Sequence, residues 1–339
     1  MCCPSRTPVV GTSVMSSAEL QYAAGFFDGD GCVGPTFSHS GSQVWINQSS
    51  AHGEVLLLFH RAFGGSIRLS RQGRGSKHAI IKWRVSGSLA QNAAAALCQA
   101  SLVKKQQLQI AANWPPCKVK REELAIRMTE LKHTSHDFSG FLCSWSYLAG
   151  FFDAEGAVHI SPMLSLRLSL SQKFEGVLKA IFVFLKQKCP GNGKGVALYT
   201  LSNCSRLQVS RNEVCKFILQ RMLASGLLGK RLSAELALAS ECTESRVFAR
   251  TALASLVGNQ SRYFRLDLEG CRRAKQINKL QSSISYQSSR GRLEKVIMMK
   301  RGVEQLKEEH ALQTSQNRYQ LLRHDIRSKL RNGTAILRT

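Results

Sequence analysis

A nine-residue segment occurs twice in this chain. Ala23-Ala24-Gly25-Phe26-Phe27-Asp28-Gly29-Asp30-Gly31 is matched by Leu148-Ala149-Gly150-Phe151-Phe152-Asp153-Ala154-Glu155-Gly156, 125 residues later. Each copy reads as a small-residue, apolar helix running into an acidic turn. Such a pair predicts a duplicated domain. The equivalent acids Asp30 and Glu155 then meet at a pseudo-twofold axis, where two carboxylates can hold a divalent metal. A net charge of +25 accompanies the pair. Together they point to metal-dependent chemistry on a nucleic acid.

The duplication can be followed past the motif. Strand-like runs near residues 32–38 and 43–49 lead to Gln48; runs near 157–162 and 164–171 lead to Gln172. Amphipathic helices follow, Glu54–Phe63 and Phe174–Lys188. A later strand holds Lys82-Trp83-Arg84-Val85-Ser86 in one unit and Arg206-Leu207-Gln208-Val209-Ser210 in the other. Each unit then reaches a basic residue, Lys104 or Lys230. The expected class is α+β: two pseudo-symmetric αββαββα units packed through their motif helices.

The strands alternate with period two, as in a sheet with one buried and one wet face. Leu164, Leu166, Leu168 and Leu170 share a face, and Ser165, Arg167, Ser169 and Ser171 take the other. In the first unit Gln43, Trp45 and Asn47 oppose Val44 and Ile46, while Lys82 and Arg84 oppose Ile81, Trp83 and Val85. The wet faces are rich in Arg, Lys, Ser, Gln and Asn. Donors and acceptors arrayed on a regular sheet suit base edges in a major groove; an ordinary solvated face is the alternative, against which the scarcity of acids argues.

Glycine in a helix interior costs about 1 kcal/mol relative to alanine, so Ala24, Gly25, Ala149 and Gly150 need a reason. Close approach of the two motif helices supplies one. Phe26, Phe27, Phe151 and Phe152 then anchor each helix in its own core. Asp30 and Glu155 fall at helix C-termini, where partial negative charge disfavours an acid unless a cation compensates.

The remaining features narrow the class. No apolar run of about 18 residues is present, so no membrane span is expected. Eleven cysteines lie without CxxC pairs, which suggests neither a disulfide framework nor a zinc site and fits a reducing, intracellular setting. Cys2-Cys3 lies in the loose N-terminus. His133 and His136 read as solvated rather than as a metal site. Residues 1–17 read as a disordered tail, with a weak organelle transit peptide as the alternative. Chloroplast, mitochondrion and nucleus are not distinguished. Residues 246–339 hold 20 Lys and Arg against 7 Asp and Glu, over half the charge excess.

These motifs resemble the LAGLIDADG homing endonucleases in their single-chain, two-motif form. The resemblance covers roughly residues 18–240. It implies a pseudo-symmetric monomer whose antiparallel sheets form a DNA-binding saddle, and cleavage of both strands across the minor groove to leave short 3′ overhangs. It implies two or three Mg²⁺ ions shared between Asp30 and Glu155, with Mn²⁺ substituting and the turn residues Gly29 and Ala154 contributing. By the same resemblance Gln48, Gln172, Lys104 and Lys230 order a water network and stabilise the transition state, although Lys105 and Arg231 stand adjacent to the two lysines. Asp28 and Asp153 take a structural role. The expected DNA contacts are Gln43, Trp45, Asn47, Arg68, Ser70, Lys82 and Arg84 in the first unit. In the second they are Ser165, Arg167, Ser169, Arg206 and Gln208. Ala23 stands where the motif usually has Leu.

The expected organisation is a tail (1–17), a first unit (18–113), a linker (114–142), a second unit (143–245) and a basic, largely helical extension (246–339). Pro115-Pro116 ends a helix, and Glu122–Lys132 reads as a short one. The linker is expected to cross one side of the saddle and touch phosphate. The extension reads equally as a DNA-gripping arm, with Asn259–Arg265 as a basic aromatic stretch and 290–331 as helix, or as a partly disordered basic tail. Two functions compete: a sequence-specific double-strand DNA endonuclease, and a non-cleaving derivative such as an intron RNA maturase or a DNA-binding regulator. A basic scaffold protein leaves the duplication unexplained.

Overall fold

The computed structural model describes residues 15–36, 40–72, 78–134, 143–161, 165–256 and 268–331. The first half comprises α1 (Ser17–Asp30), β1 (Gly31–Pro35), β2 (Ser42–Ser49), α2 (Glu54–Phe63), β3 (Ser66–Arg71), β4 (Ile80–Ser86), α3 (Ser88–Cys98) and α4 (Lys105–Ala112). A connecting helix, α5 (Lys118–Glu130), follows. The second half repeats the order with α6 (Trp145–Glu155), β5 (Gly156–Ile160), β6 (Leu166–Gln172), α7 (Gly176–Lys188), a single turn α8 (Pro190–Gly193), β7 (Val196–Thr200), β8 (Ser205–Val209), α9 (Asn212–Ala224) and α10 (Arg231–Leu238). Then come α11 (Thr243–Leu256), α12 (Leu268–Ser289) and α13 (Leu293–Arg331). The expected αββαββα order is therefore present twice, with its last helix divided in two (α3 and α4, α9 and α10).

The sheets have orders β1-β2-β4-β3 and β5-β6-β8-β7, and every pairing is antiparallel. Val44, Ile46, Trp83 and Val85 point into one core, and Leu166, Leu168, Leu170, Leu207 and Val209 into the other. β1 and β5 end earlier than the sequence suggests, β1 at Pro35, which cannot donate to a ladder. Leu164 lies outside the described residues. In the first core Phe59 gathers Phe26, Phe27 and Trp83 at centroid distances of 6.1, 6.4 and 5.1 Å. Trp145 plays that part in the second, 5.0 Å from Phe184 and 5.9 Å from Phe217.

The motif helices α1 and α6 pack on each other through their glycines. A methyl group on Gly25 would collide with the Tyr147 carbonyl, and one on Gly150 with the Tyr22 carbonyl. The seam between the halves is thus backbone against backbone, and Ala24 and Ala149 beside the glycines are fully buried.

Several boundaries differ from the sequence reading. α1 starts at Ser17 because Ser16 and Glu19 form a capping box: Glu19 N donates to Ser16 Oγ at 3.2 Å and Ser16 N to Glu19 Oε2 at 3.0 Å. The described part of the expected tail therefore belongs to the folded unit. The linker helix begins at Lys118 rather than Glu122 and packs against α4 and β1; Gln107 Nε2 donates to its Met128 carbonyl at 3.1 Å. α11 runs across the boundary expected at 245/246, and its Ala249 and Leu253 are buried in the core.

Two compact units result. One holds the described residues of both halves through Leu253; the other holds the described residues from Ala254 on, with Gln72, His78 and Ala79. The second contains an α12–α13 helical hairpin with Ile277, Val296 and Val303 buried, so the helix expected over 290–331 is present. Asn259–Arg265, Cys2-Cys3 and His136 lie outside the described residues. No helix of the described residues is long and apolar enough to cross a membrane.

Candidate active site

Asp30 and Glu155 are the last residues of α1 and α6. Gly29 brings the helix ends together: a methyl there would run into the Ala154 methyl and lie 3.1 Å from Glu155 Cγ. Burial first, and the Glu155 charge second, push the Asp30 carboxyl up to about 6. Burial likewise raises Glu155, opposed by Lys104, a hydrogen bond from Gln172, and Lys230. Gln48 Nε2 donates to Asp30 Oδ2 at 2.9 Å, and its own Oε1 accepts from Ser49 N at 2.8 Å. Both glutamines named from the sequence thus touch the acids that they follow.

Lys104 and Lys230 sit at the N-termini of α4 and α10. Their ammonium groups turn back onto the ends of the motif helices. Lys104 Nζ donates to the carbonyls of Phe27 (2.8 Å), Asp28 (2.6 Å) and Gly29 (3.1 Å). Lys230 Nζ donates to those of Phe152 (2.9 Å) and Asp153. Cations here offset the negative helix ends. Burial lowers both lysines, and Asp30 and Glu155 each oppose that lowering. The centre is therefore a compact set of two ammonium groups and two carboxylates. The adjacent Lys105 and Arg231 belong to the helices proper, and Arg231 pairs with Glu235 at 2.9 Å.

Asp28 and Asp153 are structural, as expected, but their reach is longer than a local cap. Asp28 accepts from Ser101 Oγ (2.5 Å), Leu102 N (2.6 Å), Val103 N (3.1 Å) and Lys104 N (3.0 Å). Asp153 accepts from Leu228 N (2.8 Å), Gly229 N (3.0 Å) and Lys230 N (2.7 Å). Each carboxylate so holds the turn that leads into the helix next to its half's lysine. Each also receives a tyrosine from the opposite half: Tyr147 Oη donates to Asp28 Oδ2 at 2.7 Å and Tyr22 Oη to Asp153 Oδ2 at 2.6 Å. Sequence reasoning passed over both tyrosines, although they occupy equivalent positions just ahead of the two motif copies.

The outward sheet faces carry the expected DNA-contacting residues. Around the first sheet, Cys32, Trp45, Arg84 and Ser66 form one cross-strand row, and Asn47, Lys82 and Arg68 the next. Lys82 Nζ lies 5.0 Å from the Trp45 ring centroid. Arg68, Ser70, Lys82 and Arg84 line a shallow concavity of about 360 Å³. Gln43 stands one row further out and donates to Pro35 O at 2.7 Å. In the second sheet the corresponding rows are Ala157, Ser169, Gln208 and Ala197, then Ser171, Arg206 and Tyr199. Arg167 pairs with His159 in the outermost row. Ser165 is half-buried. It precedes β6, and its hydroxyl lies 2.7 Å from Ser161 Oγ across the β5–β6 turn. None of the eight strands holds an acid. His159 and Tyr199 were not singled out from the sequence; the alternation of their short strands was the available signal. His159 is lowered by burial, Arg167 and Arg250, so that corner is electropositive.

Among the described residues, no cluster of three or more His, Cys, Asp and Glu is present. The oxygens expected from the sequence to hold a metal, two carboxylates with the Gly29 and Ala154 carbonyls, are all hard. Mg²⁺ and Ca²⁺ favour such oxygens, and Mg²⁺ is commonly held by one or two carboxylates plus water and substrate phosphate. Burial is the first cause of the raised Asp30 and Glu155 carboxyls, and Lys104 and Lys230 act against it. A divalent cation fits there. The Gly29 carbonyl is shared with Lys104.

No family model matches the chain, and no curated protein matches it. Solved structures do. I-SmaMI bound to uncleaved DNA in the presence of calcium is 14% identical, with a TM-score of 0.50 over 69% of this chain and 97% of that one. The LAGLIDADG meganuclease I-AabMI bound to uncleaved DNA gives the same identity, TM-score and coverage. The I-SmaMI LAGLIDADG homing endonuclease bound to cleaved DNA is 14% identical, with a TM-score of 0.50 over 74% of this chain and 100% of that one. The chain is similar to these proteins in fold: it has the two-domain LAGLIDADG architecture.

Proposed function

We propose that this chain is a sequence-specific double-strand DNA endonuclease that hydrolyses phosphodiesters with divalent metal, leaving short 3′ overhangs at a long, imperfectly palindromic site. The observation that carries this reading is the placement of Asp30 and Glu155. Both acids of the duplicated motif end packed helices at one axis, beside two sheets without an acidic strand residue. The DNA-bound state of the similar structures supports the choice of double-stranded DNA.

Bound between the two carboxylates, Mg²⁺ (or Mn²⁺) would supply charge neutralisation at the phosphate and acidify a water. Asp30 and Glu155 would hold it, with Gly29 and Ala154 contributing carbonyls. Gln48 and Gln172 orient the carboxylates through their amides, which fixes which oxygens face the phosphate. Lys104 and Lys230 add positive potential at the same place and favour the extra charge of the transition state. The sheet residues hold the duplex in register, Lys82, Arg84, Arg167 and Arg206 supplying cationic contacts. A reducing, intracellular setting belongs to this reading and rests on the free thiols of the described cysteines.

The test is cleavage of a randomised duplex library by purified protein with Mg²⁺, against Ca²⁺ and EDTA controls. Discrete cuts with 3′ overhangs that disappear in Asp30→Asn and Glu155→Gln are expected. Tight sequence-specific binding without cutting would replace this reading with the non-cleaving derivative, and intron RNA would then be the substrate to try.

A further inference from the structure

We infer that Tyr22 and Tyr147 are crossed positioning residues: each hydroxyl, contributed by one half, sets the lysine-bearing helix of the other. This rests on the endonuclease reading for its catalytic consequence, though not for the crossing itself.

The path is continuous in hydrogen bonds. Tyr22 Oη donates to Asp153 Oδ2 at 2.6 Å. The same oxygen accepts from Leu228 N and Gly229 N, and Oδ1 accepts from Lys230 N. These amides form the turn that leads into α10, so the carboxylate fixes the backbone from which the helix starts. Lys230 is then pinned at both ends. Its amide is held by Asp153, and its Nζ returns to the carbonyls of Phe152 and Asp153. From Tyr147 the path runs through Asp28 to Lys104 in the same way.

Both phenols are buried, and burial holds their pKa well above the usual tyrosine value. They therefore act as neutral donors. Each carboxylate has the tyrosine as its only donor from the other half among the described contacts, so loss of the hydroxyl leaves a buried acceptor short of a partner. The seam holds the backbone of both tyrosines independently of their hydroxyls, because the Tyr22 and Tyr147 carbonyls lie against Gly150 and Gly25. A Tyr→Phe change removes the hydroxyl while leaving that packing.

The halves are unequal in a way that ranks the two effects. Asp28 also accepts from Ser101 Oγ. The position that corresponds to Ser101, three residues before Lys230, is Leu227. Asp153 thus has one donor fewer and depends more on its tyrosine. Tyr22→Phe should cost more than Tyr147→Phe.

The test has two arms on the full chain. In amide hydrogen exchange without DNA or metal, Tyr22→Phe should speed exchange at Leu228–Lys230 and leave Leu102–Lys104 unchanged, with Tyr147→Phe doing the reverse. In the second arm, a duplex carrying the site that the wild type selects from the library is labelled on each strand. Each variant should slow one strand about tenfold, the scale of losing a supporting partner, and the two variants should slow opposite strands. Faster exchange in both segments at once, or equal slowing of both strands, would overturn the inference and leave only a packing role. A wild type that cuts no duplex would overturn the endonuclease reading instead. The exchange arm would still decide the crossing, because it needs no activity.

Discussion

Gly25 lies directly against the main-chain carbonyl of Tyr147, and no side chain fits between them. Gly150 meets the Tyr22 carbonyl in the same way. Overpacking of a tight core costs about 1–3 kcal/mol, and here the obstacle is backbone, which cannot swing aside. Gly25→Ala and Gly150→Ala should each lose about 3 kcal/mol of stability, read as a lower denaturant midpoint. A change within error would mean that the helices separate freely.

Metal should stabilise the free protein without DNA. A ligand at a hundredfold excess over its Kd adds about 2.7 kcal/mol. Mg²⁺ or Ca²⁺ should raise the Tm of the wild type and leave that of the Asp30→Asn, Glu155→Gln double variant unmoved. Equal shifts in both proteins would place the cation elsewhere.

Removing one cationic cap should be costly, and unequally so. Lys104 serves three carbonyls and Lys230 two. Lys→Met at either position leaves buried acceptors unpaired, at about 2 kcal/mol. The loss in chemical denaturation should be larger at Lys104, and cleavage should fall in both. A variant of full stability that still loses cleavage would show that the ammonium acts on the reaction alone.

Register equivalence makes a prediction about base preference. Arg84 and Gln208 occupy matching places in the middle rows of the two sheets. Arginine favours guanine and glutamine favours adenine in the major groove, at about 1–3 kcal/mol of discrimination. Arg84→Gln should shift one position of the selected site from G toward A, and Gln208→Arg should do the opposite at the pseudo-symmetric position. Selection from a randomised duplex pool in Ca²⁺ reads both. Unchanged preferences would assign both side chains to phosphate.

Much of this architecture was legible in the chain because its signals are local. The repeated motif, the alternation of β2, β4 and β6 and the spacing from acid to glutamine to lysine all survive without tertiary information. The helices α4 and α10 show the limit. Neither Lys104 nor Lys230, at their N-caps, has a side-chain cap of its own. The turns that lead into these helices are held by Asp28 and Asp153, more than seventy residues earlier, where capping rules read along the chain cannot find the partner. The tyrosines were hidden for a related reason, since a lone aromatic ahead of a motif reads as core. α11 was assigned outside the folded halves because the resemblance fades near residue 246, although its Ala249 and Leu253 reach the core.

The seam has one further property. Gly25, Tyr22 and Asp28 on one side of it are matched by Gly150, Tyr147 and Asp153 on the other, whereas Gly29 meets Ala154. Such a contact is nearly isologous, and it departs from symmetry at the helix ends, where a second copy of the Ala154 half would set methyl against methyl in place of Gly29. Pairing of unlike halves is imposed by the covalent connection through α5. Behind that common seam, the two sheets are free to diverge row by row, as Trp45 and Ser169, or Arg84 and Gln208, already have.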